Sequence, residues 1–93
     1  MKLPNTFSMK MIPPDQLLEV SEFALIVSFV TCGFKVEHVD RSDPRRVIFG
    51  FRRSRQLDEI ASSYWRGTLM VPATTFYQTL GLLKARLRNE VPP

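Results

Sequence analysis

One cysteine, Cys32, and one histidine, His38, are the residues of this sequence best able to ligate a metal or act as nucleophile and base. A protein-held metal needs three or four ligands at suitable spacing, and this pair supplies two. Cys32 is expected to be a small buried hydrophobe and His38 a strand residue with a backbone or water partner. Carboxylates occur in pairs, Glu19 with Glu22 and Asp58 with Glu59. Adjacent helical residues point to different faces, so Asp58 and Glu59 cannot share one proton-transfer site. They read instead as helix-start acids that favour the macrodipole or pair with Arg55. The four glycines form no phosphate-cradling run. The expectation is a protein that is not an enzyme and carries no cofactor or metal.

Arginine is different. Residues 41–55 hold Arg41, Arg45, Arg46, Arg52, Arg53 and Arg55 against Asp43 alone, a net +5. Residues 1–40 carry −2 and residues 56–93 carry +1, so the formal charge of +4 comes from fifteen residues. A planar guanidinium binds phosphate or carboxylate bidentately and stacks on flat rings. Arginines that neutralise phosphates release counterions, which supplies most sequence-independent nucleic-acid affinity. Single strands add base stacking on aromatic side chains. Trp65 and Tyr77 are the candidate exposed aromatics. Trp65 beside Arg66 could form such a platform, although its expected place is a core edge against the final helix. A solvated hairpin that blocks edge pairing is the plain alternative for the arginines.

The chain of 93 residues suits one domain. At 44% hydrophobic and 11% aromatic it is globular rather than a disordered tail, and one cysteine excludes a disulfide scaffold. The apolar run Phe23 to Val30 is far shorter than the roughly 20 residues of a membrane span. With no secretory pattern and a free thiol, the expected setting is cytoplasmic.

Residues 1–14 read as an irregular N-terminal arm, and residues 15–91 as a single α+β domain. The arm's Phe7, Met9, Met11 and Ile12 are candidate apolar anchors for a partner or a second copy, with a disordered terminus as the plain alternative. Leu17 to Val20 fits a short strand or a helix start. An apolar helix is expected over about 21–32, capped by Ser21 and stopped by Gly33. The period then switches to two. Strands at about 34–41 and 46–53 around the Asp40–Arg45 turn predict a central β-hairpin, with Val47, Phe49 and Phe51 facing the core. Leu57, Ile60, Ala61 and Tyr64 give a one-sided helix over about 55–66, with Ser54 as cap and Gly67 as stop. Leu69 to Val71 reads as a short extended piece before a last helix over about 73–89, with Phe76, Leu80, Leu83 and Leu87 on its apolar stripe. The architecture expected is a short antiparallel or mixed sheet with three helices on one face.

Gly33-Phe34, the run Asp43 to Phe51, Tyr64-Trp65-Arg66-Gly67 and Leu69-Met70-Val71 together resemble a family of small uncharacterised domains of phage, plasmid and other mobile-element genomes. The resemblance covers roughly residues 17–90. It implies an accessory protein of a mobile element and assigns no catalytic residue.

The sequence thus points to a non-enzymatic nucleic-acid-binding protein. Arg41, Arg45, Arg46, Arg52, Arg53 and Arg55 would contact phosphates, with Trp65 and Arg66 nearby. Little base specificity is expected, because no helix carries the side-chain set used for groove readout. Single-stranded DNA or RNA is slightly preferred over duplex. The competing reading is a protein-interaction module, an inhibitor or assembly subunit, using the same basic face or the arm, as a homo-oligomer or on an acidic protein surface.

Overall fold

A computed structural model describes residues 14–89. The expected N-terminal arm lies outside the described residues. After a single 3-10 turn, Pro14–Gln16, the elements are β1 (Leu17–Val20), α1 (Phe23–Thr31), β2 (His38–Asp43), β3 (Arg46–Arg52), α2 (Arg55–Arg66) and α3 (Ala73–Asn89). The fold is α+β, with one antiparallel sheet in the order β1-β3-β2.

Strand alternation gives the sheet an inner and an outer face. Leu18 opposes Phe51, and Val20 and Val39 both oppose Phe49. These residues face the helices, and Phe49 and Phe51 are buried with Phe29, Ile26, Val27 and Leu57. Phe29 packs edge-on to Phe51 at a centroid distance of 4.9 Å. The other face carries Leu17, Glu19, His38, Asp40, Arg46, Ile48, Gly50 and Arg52. Gly50 is buried between Leu17 and His38; a Cβ there would stand 3.2 Å from His38 Cβ.

Helix α1 is apolar almost all round because it sits at the centre, with Leu25 to Phe29 all buried. It starts two residues later than expected, with Glu22 rather than Ser21 at the cap position. Its end explains where β2 begins. The Phe34 N–H donates to the Phe29 carbonyl at 3.0 Å and the Gly33 N–H to the Val30 carbonyl at 2.9 Å. Gly33 takes the left-handed φ of 97°, and Phe34 stacks edge-on to Phe29 at 6.3 Å. This is a full Schellman stop with its apolar contact. Phe34 therefore closes a helix instead of opening a strand, and β2 starts at His38 rather than at 34.

The turn is correspondingly tighter. Strand pairing runs to Asp43 opposite Arg46, leaving Pro44 and Arg45 as a two-residue turn in place of Asp40–Arg45. Asp40 opposes Ile48 while Asp43 opposes Arg46, so one extra residue bulges from β2. Asp40 and Asp43 each accept a backbone N–H two residues on, from Ser42 and Arg45, at 2.9 Å.

Helix α2 forms as its period requires. The Leu57 N–H donates to Ser54 Oγ at 3.1 Å, and Gly67 ends the helix in the left-handed region. Leu69 to Val71 is not a strand. It links α2 to α3 without a partner in the sheet. Helix α3 lays Phe76, Leu80, Leu83 and Leu87 on the core. Cys32 is exposed at the C-terminal cap of α1, not buried as expected. No helix among the described residues is long and apolar enough to cross a membrane.

Candidate nucleic-acid interface

The structure sorts the six arginines of residues 41–55 into three places. Arg41, in the bulge of β2, turns inward. Its Nη2 donates to the Leu87 carbonyl at 2.9 Å. A guanidinium there satisfies one of the terminal carbonyls of α3 and sits at the negative end of its dipole. Arg41 therefore holds the hairpin to the last helix.

Arg45 and Arg46 occupy the hairpin tip, both exposed. Arg45 Nε lies 3.9 Å from Asp43 Oδ1. Arg52, Arg53 and Arg55, also exposed, gather where β3 ends and α2 begins. The Arg53 N–H donates to the Gln16 carbonyl at 2.8 Å, so its backbone is fixed while its side chain extends outward. Arg53 Nη1 lies 3.9 Å from Asp58 Oδ1. Both ion pairs are solvent-exposed and long, worth at most about 1 kcal/mol, so an incoming phosphate can displace the carboxylate. Arg46 and Arg52 are six residues apart on one strand face, which at 3.3 Å per residue is roughly 20 Å.

Carboxylates interrupt the outer face between these groups. Glu19 and Asp40 share it with Arg46 and Arg52. The Ser42 backbone N–H and hydroxyl hold the Asp40 carboxyl below its ordinary range. The face is therefore basic at its two ends and mixed in its middle.

Trp65 and Arg66 stand apart from both groups. They end α2, while Arg55 begins it, a separation of roughly 15 Å at the helical rise of 1.5 Å per residue. Trp65 is 65% exposed. It borders a hollow of about 350 Å³ with Leu18, Val20, Glu22, Leu25 and Ala61. Its neighbours are thus β1 and the start of α1, not the final helix against which a core edge was expected. The turn that exposes Trp65 directs Tyr64 inward. The Tyr64 hydroxyl donates to Glu22 Oε2 at 2.7 Å, and this bond pushes its pKa up to about 12. The two rings meet edge-on at 5.0 Å. Arg66 Nη1 donates to Ser62 Oγ at 2.7 Å. Trp65 is therefore an exposed ring set apart from the arginine groups.

His38 is exposed on the outer face beside Gly50, and Cys32 lies on another element. Among the described residues no group of three His, Cys, Asp or Glu side chains could hold a metal ion.

Sequence reasoning missed an apolar groove of about 760 Å³ between α1, the 67–72 link and the start of α3. Tyr64, Leu69, Met70, Val71, Phe76 and Tyr77 line it. Met70 is 91% exposed and Tyr77 75%. The signal was present: an apolar triplet, Leu69 to Val71, lies between a helix stop and a helix start, where no strand can pair with it.

The sequence profile of a family described as a domain of unknown function (DUF5659) matches residues 15–89. No curated protein and no solved structure matches the chain.

Proposed function

The chain belongs to the DUF5659 family, whose description assigns no activity, and we propose its role from its own surface: a non-enzymatic nucleic-acid-binding domain that grips the phosphate backbone. One observation carries this reading. Arg45, Arg46, Arg52, Arg53 and Arg55 are all exposed, in two groups at the ends of one rigid strand. Two guanidinium groups roughly 20 Å apart span about six steps of a nucleic-acid strand at 3.4 Å per step. Asp40 and Glu19 keep the middle of the face unfavourable to phosphate, so the polyanion engages tip and base rather than lying flat on the sheet. Phosphate contacts of this kind position a strand without reading its sequence. Trp65 supplies stacking only to a strand long enough to pass along α2. Arg41 is left out of the phosphate-binding set, because its side chain is committed to α3.

An accessory role in a mobile element is part of the same proposal and rests on the resemblance of the Asp43–Phe51 and Tyr64–Gly67 runs.

Fluorescence anisotropy with a labelled 20-nucleotide single strand and the matching duplex, at two salt concentrations, tests the reading. Binding is expected to weaken steeply with salt and to collapse in Arg46→Glu/Arg52→Glu. Absence of binding at low salt would overturn it.

A further inference from the structure

The groove beside Tyr77 continues into a basic stripe along α3. Tyr77, Gly81, Lys84 and Arg88 follow one another at spacings of four, three and four residues, which places them on one line of the helix. All four are exposed. The line therefore runs from an apolar hollow, over a bare glycine, to two cations.

Gly81 is the informative member. It lies in the interior of a 17-residue helix, where glycine weakens the helix relative to alanine. A Cβ built on it would meet nothing within 4 Å. Neither its own packing nor a left-handed φ requires a glycine there. A missing side chain at an exposed position lets another backbone approach closely. On one side of that gap lie Met70, Phe76 and Tyr77; on the other lie Lys84 and Arg88.

We propose that this face of α3 docks an amphipathic helix of a partner protein, with apolar residues at one end and acidic residues at the other. The apolar end fills the groove against Met70 and Tyr77. The helix backbone crosses at Gly81, and its carboxylates meet Lys84 and Arg88. Large apolar and aromatic side chains in a pocket are the usual anchors of such helix-in-groove contacts. Charge complementarity selects the acidic partner. From Tyr77 to Arg88 the stripe is roughly 16 Å long, the length of a helix of about eleven residues. This inference does not depend on the arginine hairpin binding nucleic acid.

Selection of a random 16-residue peptide library displayed on yeast, with the full chain as bait, tests it. Enriched peptides are expected to carry apolar residues at i, i+3 or i+4 and i+7, followed by an excess of Asp and Glu. Their affinity should fall at least tenfold in Tyr77→Ala and in Met70→Ser, and at least tenfold in Lys84→Glu/Arg88→Glu. Leu82→Ser, on another flank of α3, should leave it unchanged. Gly81→Leu should keep the melting temperature at or above that of the parent and still abolish binding, which separates blocked docking from misfolding. Enrichment of neutral or basic peptides, binders indifferent to these substitutions, or no enrichment at all would each overturn the proposal.

Discussion

The two faces of β3 are made from alternate residues of one seven-residue strand, yet they meet different surroundings. Val47, Phe49 and Phe51 turn inward, and the two phenylalanines are sealed beneath α1 and α2. Arg46, Ile48, Gly50 and Arg52 turn outward, and both arginines are exposed. A period-two pattern lets one strand carry core residues on one side and the proposed phosphate-binding arginines on the other. The contrast implies that substitutions on the inner face act on folding, and those on the outer face on binding. The largest expected effect tests the inner half. Phe51→Ala removes a fully buried ring packed on Phe29 and should cost about 3–5 kcal/mol in urea unfolding. A cost near that of an ordinary surface change would erase the distinction between the faces.

The next effect lies at the junction between the faces. Ser54 accepts the Leu57 N–H and fixes α2 immediately after the basic strand end. Ser54→Ala should lower stability by about 1 kcal/mol. Because Arg52, Arg53 and Arg55 keep their charges, oligonucleotide affinity at temperatures well below the transition should change little. A large affinity loss with no stability loss would show that the cap itself belongs to the binding surface.

Most of this contrast was legible in the sequence. Helix α2 was bounded correctly because local chemistry fixes both its ends: a serine oxygen accepts an N–H at one, and a glycine adopts a left-handed φ at the other. The inner set Val47, Phe49, Phe51 followed from alternation alone. What failed depended on contacts distant in sequence or competing locally. Phe34 alternates with Val36 as a strand residue would, but its N–H and ring are claimed by Phe29 at the end of α1. The inward turn of Arg41 needs the α3 terminus, 46 residues away in sequence, to be in place. The separation of Trp65 from Arg55 follows from the length of α2 and was legible, but the hollow that Trp65 borders with β1 and the start of α1 was not, because it joins residues 40 or more apart in sequence. Residues 69–71 have strand composition, but no described strand lies beside them.

A smaller effect of opposite sign is expected on the far side of the molecule. Gly81→Ala fills open space in the interior of α3 and should raise stability by about 0.5–1 kcal/mol, read as a higher urea midpoint with an unchanged m-value. This position resembles Arg46 and Arg52 on the outer face of β3 in that its residue type is not explained by packing. A loss of stability instead would mean that Gly81 serves the fold of the free chain, and the parallel between the two surfaces would fail.

The smallest expected change in stability is the one that divides the two faces most sharply. Arg46→Glu/Arg52→Glu alters the net charge by four units at exposed positions outside the core. Surface substitutions of this kind usually stay within about 0.5 kcal/mol. New repulsion comes from Asp43, directly opposite Arg46, and from Glu19 and Asp40 on the same face, and new attraction from Arg45 and Arg53 beside the replaced residues. These terms oppose one another and are screened by salt within about 10 Å at 0.1 M. The unfolding midpoint should therefore stay close to that of the parent, and closer still at higher salt. The proposed oligonucleotide binding has no such compensation, because the two phosphate contacts proposed for Arg46 and Arg52 would become two repulsions roughly 20 Å apart on the strand. An unchanged midpoint with lost, salt-sensitive binding would assign the outer face to recognition. An unfolding free energy that falls by several kcal/mol would place Arg46 and Arg52 with the phenylalanines behind them, as parts of the fold.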